Sequence, residues 1–211
     1  MKKFGVRFLP MLAVVLMVGL VSGAAVAQPV GDASVYFVTY FSNNVAGAPD
    51  ATVRIINDGS SPFGALYAAY YVFDDSQELT ECCACYITPD GINSESVQNN
   101  LTANPITGKV PSRGVIKIIG SLISDPRNVQ PAAGLHGFAT HIQLTGTATY
   151  AITESALLDA NLGGIANDTA TKNAKPTVAI AGEQGLLDNL CAFSYLLSGS
   201  PCTCTPEDHD F

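Results

Sequence analysis

The chain has 211 residues with 10 basic and 18 acidic side chains, a formal net charge of −8, and 47% apolar against 13% charged residues. An acidic surface repels phosphate backbones and anionic lipids, which argues against nucleic-acid binding and peripheral membrane attachment. The high apolar and low charged content excludes an intrinsically disordered chain and is typical of a protein with a dense hydrophobic core.

The first 27 residues have the pattern of a secretory signal. Three basic residues precede an apolar stretch over residues 8–20, and Ala25-Val26-Ala27 matches the small-x-small cleavage rule. An uncleaved membrane anchor is the alternative, but the apolar stretch is shorter than the roughly 20 residues that a span needs. We therefore expect cleavage before Gln28, a periplasmic or extracellular location, and no membrane attachment after cleavage. The remaining 211 − 27 = 184 residues, 28–211, carry a net charge of 7 − 18 = −11 and suffice for a single domain.

Seven short segments predict β-strands because they are rich in β-branched and aromatic residues and alternate with clusters of Gly, Pro, Asn and Asp. These segments are residues 34–41, 52–57, 66–73, 78–87, 94–101, 114–120 and 135–144. Asp58-Gly59 and Pro89-Asp90-Gly91 are turn signals between them. Strands at this spacing, without intervening helical patterns, predict an antiparallel β-sandwich of the immunoglobulin-like or a related type.

The pattern changes after residue 145. Residues 153–160 predict a short helix opened by a threonine cap, 162–175 a loop rich in Gly, Asn and Thr, and 176–181 a last strand. Residues 183–197 have helical spacing of apolar side chains, and Gly199 is placed to end the helix. The side predicted to pack against the sheet carries Leu186, Leu187, Leu190, Cys191, Ser194 and Leu197.

Six cysteines lie in two groups, Cys82, Cys83 and Cys85 near the middle and Cys191, Cys202 and Cys204 near the end. In an exported chain an even number of cysteines indicates disulfides, and six allow 15 pairings. Bonds within the first group are strained or need a turn, so three links between the groups are favoured. In an extended segment Cys83 and Cys85 share one face and Cys82 points to the other. We therefore predict Cys82 with Cys191, and Cys83 and Cys85 with Cys202 and Cys204 in either order, which ties the tail to the sheet.

The cysteines also allow two functional interpretations. Cys82 to Cys85 has the CxxC spacing of thiol oxidoreductases, but strand and turn residues follow it where such enzymes have a helix. Cys202, Cys204 and His209 are possible metal ligands in a C-terminal tail. We predict neither redox catalysis nor a resident metal.

Other polar residues give no stronger signal. His136 and His141 are five residues apart and are expected on opposite faces of a strand, which disfavours a shared metal. The acidic cluster Asp74, Asp75, Glu78 and Glu81 is predicted to be a solvated turn. Tyr67, Tyr70 and Tyr71 lie in one predicted strand, where Tyr67 and Tyr71 share a face and are expected to pack in the core or between sheets, although exposed Tyr could also bind sugar. No nucleophile elbow, calcium loop or phosphate loop is present. The sequence therefore predicts no catalytic residue and no cofactor.

Three sequence runs resemble a group of exported bacterial proteins to which no function is assigned. The runs are Tyr40-Phe41-Ser42-Asn43-Asn44, the segment from Pro49 to Asn57, and Cys82-Cys83-Ala84-Cys85 followed by Thr88-Pro89-Asp90-Gly91. The likeness covers roughly residues 36–120. It implies an exported bacterial module and supplies no activity.

These observations together predict a non-catalytic structural or interaction protein of the bacterial envelope or exterior, stabilised by disulfides. Apolar, Ala- and Gly-rich strands with free edges suggest self-association or an envelope protein as partner. The alternative is a module that binds a carbohydrate or a metal ion, and an enzyme is the third choice.

Overall fold

Eight strands form two antiparallel sheets in a computed structural model that describes residues 35–158, 160, 162, 182–197 and 202–205. In chain order the strands are β1 (Tyr36–Phe41), β2 (Thr52–Asn57), β3 (Leu66–Asp74), β4 (Leu79–Ile87), β5 (Ile92–Ser96), β6 (Gly114–Ser121), β7 (Leu135–Gly146) and β8 (Thr149–Ala156). Sheet I has the order β1-β6-β3-β4 and sheet II the order β5-β2-β7-β8. Every pairing is antiparallel.

The main core lies between the two sheets, where alternate residues of each strand point inward. In β2, Val53 and Ile55 are buried while Arg54 between them is half-buried. Sheet I contributes large inward side chains opposite them, among them Phe37, Tyr70 and Ile118. The predicted antiparallel sandwich is confirmed. Among the described strands, β1 and β2 lie in different sheets, whereas the first two strands of a constant-type immunoglobulin domain share one.

A second apolar cluster lies on the outer face of sheet I, beneath helix α1 (Glu183–Leu197). Ala69, Tyr71 and Cys82 of the sheet contact this cluster, together with Leu187 and Cys191 of the helix. At the start of α1, Glu183 forms an ion pair with Lys117 of β6. Sheet I is therefore buried on both faces, which agrees with the near-continuous burial of β3.

Two predicted elements are wrong. The segment 94–101 is not one strand: β5 ends at Ser96, and Val97–Leu101 forms a π-helical turn. Asp50 accepts hydrogen bonds from the Ser96 hydroxyl and the Gln98 N–H, and the Ser96 hydroxyl accepts one from Asn99 N–H at 2.7 Å. These side chains provide the partners that turn the backbone away from the sheet.

The helix predicted over 153–160 is the second error. Residues up to Ala156 belong to β8, which continues a hairpin with β7 and pairs Ala151 with Gln143 and Ser155 with Ala139. The hairpin supplies a complete ladder of backbone hydrogen bonds, and this tertiary pairing overrides a weak local helix preference.

The turns at Asp58-Gly59 and Asp90-Gly91 are confirmed, with Gly59 and Asp90 at positive φ. Helix α1 begins and ends as predicted at residues 183 and 197. The signal segment 1–27, the strand at 176–181, Gly199 and all of the loop 162–175 except Leu162 lie outside the described residues. Within the described part of the chain, no helix combines the length and the apolar character that crossing a membrane requires.

Candidate functional site

Three cysteines of strand β4 form disulfide bonds, one on the outer face of sheet I and two on its inner face. Cys82 is bonded to Cys191 of α1 on the outer face of sheet I, with a Cα–Cα distance of 5.9 Å. Cys83 and Cys85 point into the sandwich and are bonded to Cys202 and Cys204, with Cα–Cα distances of 5.2 and 5.4 Å. This pairing agrees with the alternation expected for an extended segment, and it fixes the order that the sequence left open. Cys82 and Cys85 are not bonded to each other, so the CxxC spacing does not form the disulfide of a thiol oxidoreductase. Three disulfides indicate an oxidising environment.

The tail segment, residues 202–205, is also held by polar contacts to a buried carboxyl group. Glu95 of β5 is fully buried, and its Oε1 accepts hydrogen bonds from Thr205 N–H at 2.9 Å and from Asn93 Nδ2 at 2.7 Å. The Thr205 hydroxyl donates to Oε2 at 2.9 Å. Tyr70 of sheet I donates to Asn93 Oδ1 at 2.8 Å, which links both sheets to the tail. Burial raises the pKa of Glu95, while these donors favour its ionised form.

Glu81 is a second buried carboxyl group on the inner side of β4. Its Oε1 accepts a hydrogen bond from Asn104 N–H at 2.6 Å, whereas Oε2 finds no hydrogen-bond partner among the described residues. Desolvation raises the pKa of Glu81 to about 8. The expectation that Glu81 belongs to a solvated turn is therefore wrong, because the strand carries it two residues before Cys83 into the core.

The rest of the acidic cluster behaves as a turn. Asp74 Oδ1 accepts hydrogen bonds from Ser76 and Glu78 N–H, both at 2.9 Å, and Asp75 is paired with Arg113 at 2.8 Å. Asp74 and Asp75 each have their own local partner, and Glu78 is exposed, which agrees with the predicted solvated turn.

The histidines of β7 lie on opposite faces, as expected. His136 is paired with Asp58 at 2.8 Å near the surface. His141 is only 7% exposed, with Nδ1 at 3.1 Å from the Tyr40 carbonyl and Nε2 at 3.0 Å from the Ser155 hydroxyl. The Tyr40 ring stacks on its imidazole at 4.2 Å. Both ring nitrogens of this buried histidine are thus satisfied, which is what burial requires. His209 lies outside the described residues.

The tyrosines separate by face. Tyr70 points between the sheets, and Tyr71 lies under α1, where its hydroxyl donates to the Pro126 carbonyl at 2.7 Å. Tyr67 is half-buried and meets the exposed Tyr86 with ring planes at 58°. Tilted rings do not present the flat aromatic platform that a sugar-stacking site uses.

Helix α1 shows the largest difference from the sequence prediction, because its leucines point in both directions. Leu187, Asp188, Cys191 and Ser194 are buried against sheet I. We define the outward face of α1 as Leu186, Asn189, Phe193, Leu196 and Leu197, all of which are exposed. The exposed fractions of its apolar members are 52% for Leu186, 59% for Phe193, 84% for Leu196 and 60% for Leu197. The expected packing of Leu186 and Leu197 against the sheet is therefore wrong.

The Cys82–Cys191 bond explains this orientation. It fixes Cys191 toward the sheet, and Asp188 and Ser194, three residues on either side, follow it inward. Ser194 Oγ lies 3.4 Å from Cys82 Sγ, and burial raises the pKa of Asp188. The sequence does contain a signal for the outward face: residues 186, 189, 193 and 196 follow the 3-4-3 spacing of a coiled-coil seam.

Comparisons of the chain with protein-family models, with curated proteins and with solved structures gave no match. What the protein does must therefore follow from its own residues.

Proposed function

We propose that the protein is an exported, non-catalytic interaction module of the bacterial envelope or exterior, and that it pairs with a second copy of itself through the outward face of α1. The observation that carries this proposal is the exposure of four large apolar side chains on a helix whose other side is held by the Cys82–Cys191 bond. Because that bond prevents α1 from rotating, the helix cannot bury these side chains against its own sheet.

The chemistry of this face favours a second copy as the partner. The chain is strongly acidic, so two copies repel each other wherever charged surfaces meet. The outward face of α1 carries no charged residue, which allows close approach. Its spacing matches a coiled-coil seam, and Asn189 near the centre has an amide that can both donate to and accept from the same residue of a twofold-related copy.

The free energy gained by burying these apolar side chains is of the size expected for a reversible dimer. Fully burying a Leu or Phe side chain contributes about 1.5–3 kcal/mol, so about half of that is available at each of these partly exposed positions. Eight such side chains in two copies give on the order of 10 kcal/mol, against roughly 4–15 kcal/mol for the lost freedom of association. The gain and the cost are similar, which corresponds to association that depends on concentration.

Light scattering coupled to size-exclusion chromatography tests the proposal on protein recovered from an oxidising export compartment. We expect a monomer–dimer equilibrium over a series that reaches about 100 μM. Phe193→Glu with Leu196→Glu should give a monomer at every concentration, since it places charges in the dimer contact.

Leu144→Glu is the matched control, because Leu144 is 56% exposed on β7, away from α1, and its replacement should leave the equilibrium unchanged. A wild-type protein that stays monomeric across the series would contradict pairing with a second copy. A dimer that survives both charge substitutions on α1 would place the contact elsewhere.

A further inference from the structure

We propose that the four sulfurs joining β4 to the tail segment, those of Cys83, Cys85, Cys202 and Cys204, form a tetrahedral thiolate site for one Zn²⁺ when both of their disulfides are reduced. This inference is independent of the pairing of α1 with a second copy. It concerns a second state of the same cross-link, in which a metal replaces two covalent bonds.

The positions of the sulfurs carry the proposal. In a tetrahedral zinc site with Zn–S distances of about 2.3 Å, neighbouring sulfurs lie about 3.8 Å apart. The Sγ atoms of Cys83 and Cys85, which are not bonded to each other, are separated by 3.9 Å. The Sγ atoms of Cys83, Cys85 and Cys204 all lie within 4.8 Å of one another. Cys83 and Cys85 already have the required spacing. Cys204 must move away from Cys85, and Cys202, which lies outside this group of three, must turn toward it to complete the site.

Reduction of the two disulfides frees the sulfurs to move to the spacing of the metal site. A disulfide holds its sulfurs at about 2.0 Å, so each former pair must separate by about 2 Å to reach the spacing of the metal site. Each Cα–Cα distance, 5.2 and 5.4 Å, leaves room for this change through side-chain rotation.

The surroundings are those of a closed structural site. Cys83, Cys85 and Cys202 are no more than 4% exposed, and Cys204 is half-buried at the outer side. The remaining pair, Cys82 and Cys191, lies on the opposite face of sheet I and cannot reach the metal position. The four proposed ligands come from two CxC segments, and their number matches the coordination number of a structural zinc.

The chemistry balances with an external dithiol as reductant. Each disulfide takes up two electrons and two protons from one dithiol, which is oxidised to its own disulfide. The two reductions give four thiols, and Zn²⁺ then binds four thiolates with the release of four protons. The metal keeps the tail segment on the sheet after its covalent bonds are gone.

Cobalt substitution tests the proposal under anaerobic conditions. The protein is reduced with a dithiol, freed of reductant by desalting and titrated with Co²⁺, whose tetrahedral thiolate complexes have intense ligand-field absorption. We expect one Co²⁺ per chain, displaced by an equal amount of Zn²⁺. Cys82→Ser with Cys191→Ser should keep this stoichiometry, and Cys83→Ser with Cys202→Ser should reduce it to zero at the same concentrations.

Thermal unfolding of the reduced wild-type protein provides a second measurement that needs no variant to fold. Zn²⁺ should raise the unfolding temperature and Ca²⁺ should not, because a site that forms in the folded protein stabilises it. The proposal is overturned if reduced wild-type protein binds no cobalt, if the Cys83/Cys202 variant binds it equally well, or if Zn²⁺ binds without raising the unfolding temperature, as it would on an unfolded chain.

Discussion

Two glutamates on the inner side of the sandwich show how hydrogen-bond partners decide the state of a buried acid. Glu95 receives three donors, two of them from the tail segment, so its carboxylate can remain ionised inside the protein. Glu81 receives one donor to Oε1, from Asn104 N–H, and desolvation raises its pKa to about 8. Glu81 is therefore expected to be protonated in the folded protein at mildly acidic and neutral pH.

Glu81 makes the stability of the protein dependent on pH. Between its usual pKa of 4.5 and its folded value of about 8, the folded state holds a proton that the unfolded state releases. Its contribution to stability is fully present below about pH 4.5 and is lost as the pH rises toward 8. We expect the free energy of unfolding to fall by on the order of 3 kcal/mol from pH 5 to pH 8. Urea denaturation of the disulfide-bonded protein across this range measures the effect.

Glu81→Gln should remove most of this slope, because the amide keeps the shape and does not titrate. At pH 8 the variant is expected to be more stable than the wild type, and at pH 5 the two should be similar. Glu78→Gln, on the exposed turn that precedes β4, is the control and should retain the wild-type slope. Equal slopes in the wild type and Glu81→Gln would show that Glu81 is not the group responsible.

At the scale of elements, the strands that the sequence predicted well are those whose burial follows their own alternation. β1 and β2 are examples, since side chains at alternate positions point to one face whatever the partner strand is. The π-helical turn after β5 and the hairpin strand β8 depend on partners outside their own segments, namely Asp50 for the turn and the preceding strand β7 for the strand. Local patterns contain no information about those partners.

The same reasoning applies to the candidate site. The partners of Cys82 and of the pair Cys83 and Cys85 were predictable because the alternation of these three cysteines reflects strand geometry, whereas the order of the two tail bonds was not. The burial of Leu187, Cys191 and Ser194 was also predictable, but the outward position of Leu186 and Leu197 was not, because leucines occur on both sides of α1 and the bond to Cys191 selects the buried one. The burial of Glu81 and Glu95 depends on which faces of the two sheets pack against each other.

Gly114 at the start of β6 tests the close packing of sheet I. β6 lies between β1 and β3, and a Cβ atom added at Gly114 would lie 1.9 Å from the Phe73 carbonyl oxygen and 2.9 Å from the Phe41 ring. Gly114→Ala therefore requires β3 to move, and we expect a loss of about 3 kcal/mol in the free energy of unfolding. Denaturant unfolding measures it, with Gly146→Ala as the control.

The control position is also a strand glycine with an ordinary backbone conformation, but the nearest atom to an added Cβ is 3.8 Å away. Gly146→Ala should change stability by less than about 0.5 kcal/mol. A Gly114→Ala variant as stable as the Gly146→Ala variant would mean that β3 and β6 are less tightly constrained than the structure shows.

At the scale of the whole molecule, all three disulfides connect one strand to the C-terminal part of the chain. The sequence separations are 109, 119 and 119 residues, so any one of them alone would close a loop worth about 5 kcal/mol in lost entropy of the unfolded chain. The three bonds, however, close loops that consist of nearly the same residues. Once one bond is formed, the next closes only the short segments between neighbouring cysteines, and its contribution is smaller.

The Cys82–Cys191 bond should therefore contribute less in the presence of the other two bonds than in their absence. With both tail bonds formed, it closes a ring of about 12 residues, which corresponds to about 3 kcal/mol, whereas without them it closes the long loop and contributes about 5 kcal/mol. We expect Cys82→Ser with Cys191→Ser to show this difference of about 2 kcal/mol between the wild-type background and one in which Cys83, Cys85, Cys202 and Cys204 are all serine. Urea denaturation of the four proteins completes the cycle. Equal losses in the two backgrounds would contradict the shared loop and would mean that the bond stabilises the folded packing of α1 rather than restricting the unfolded chain.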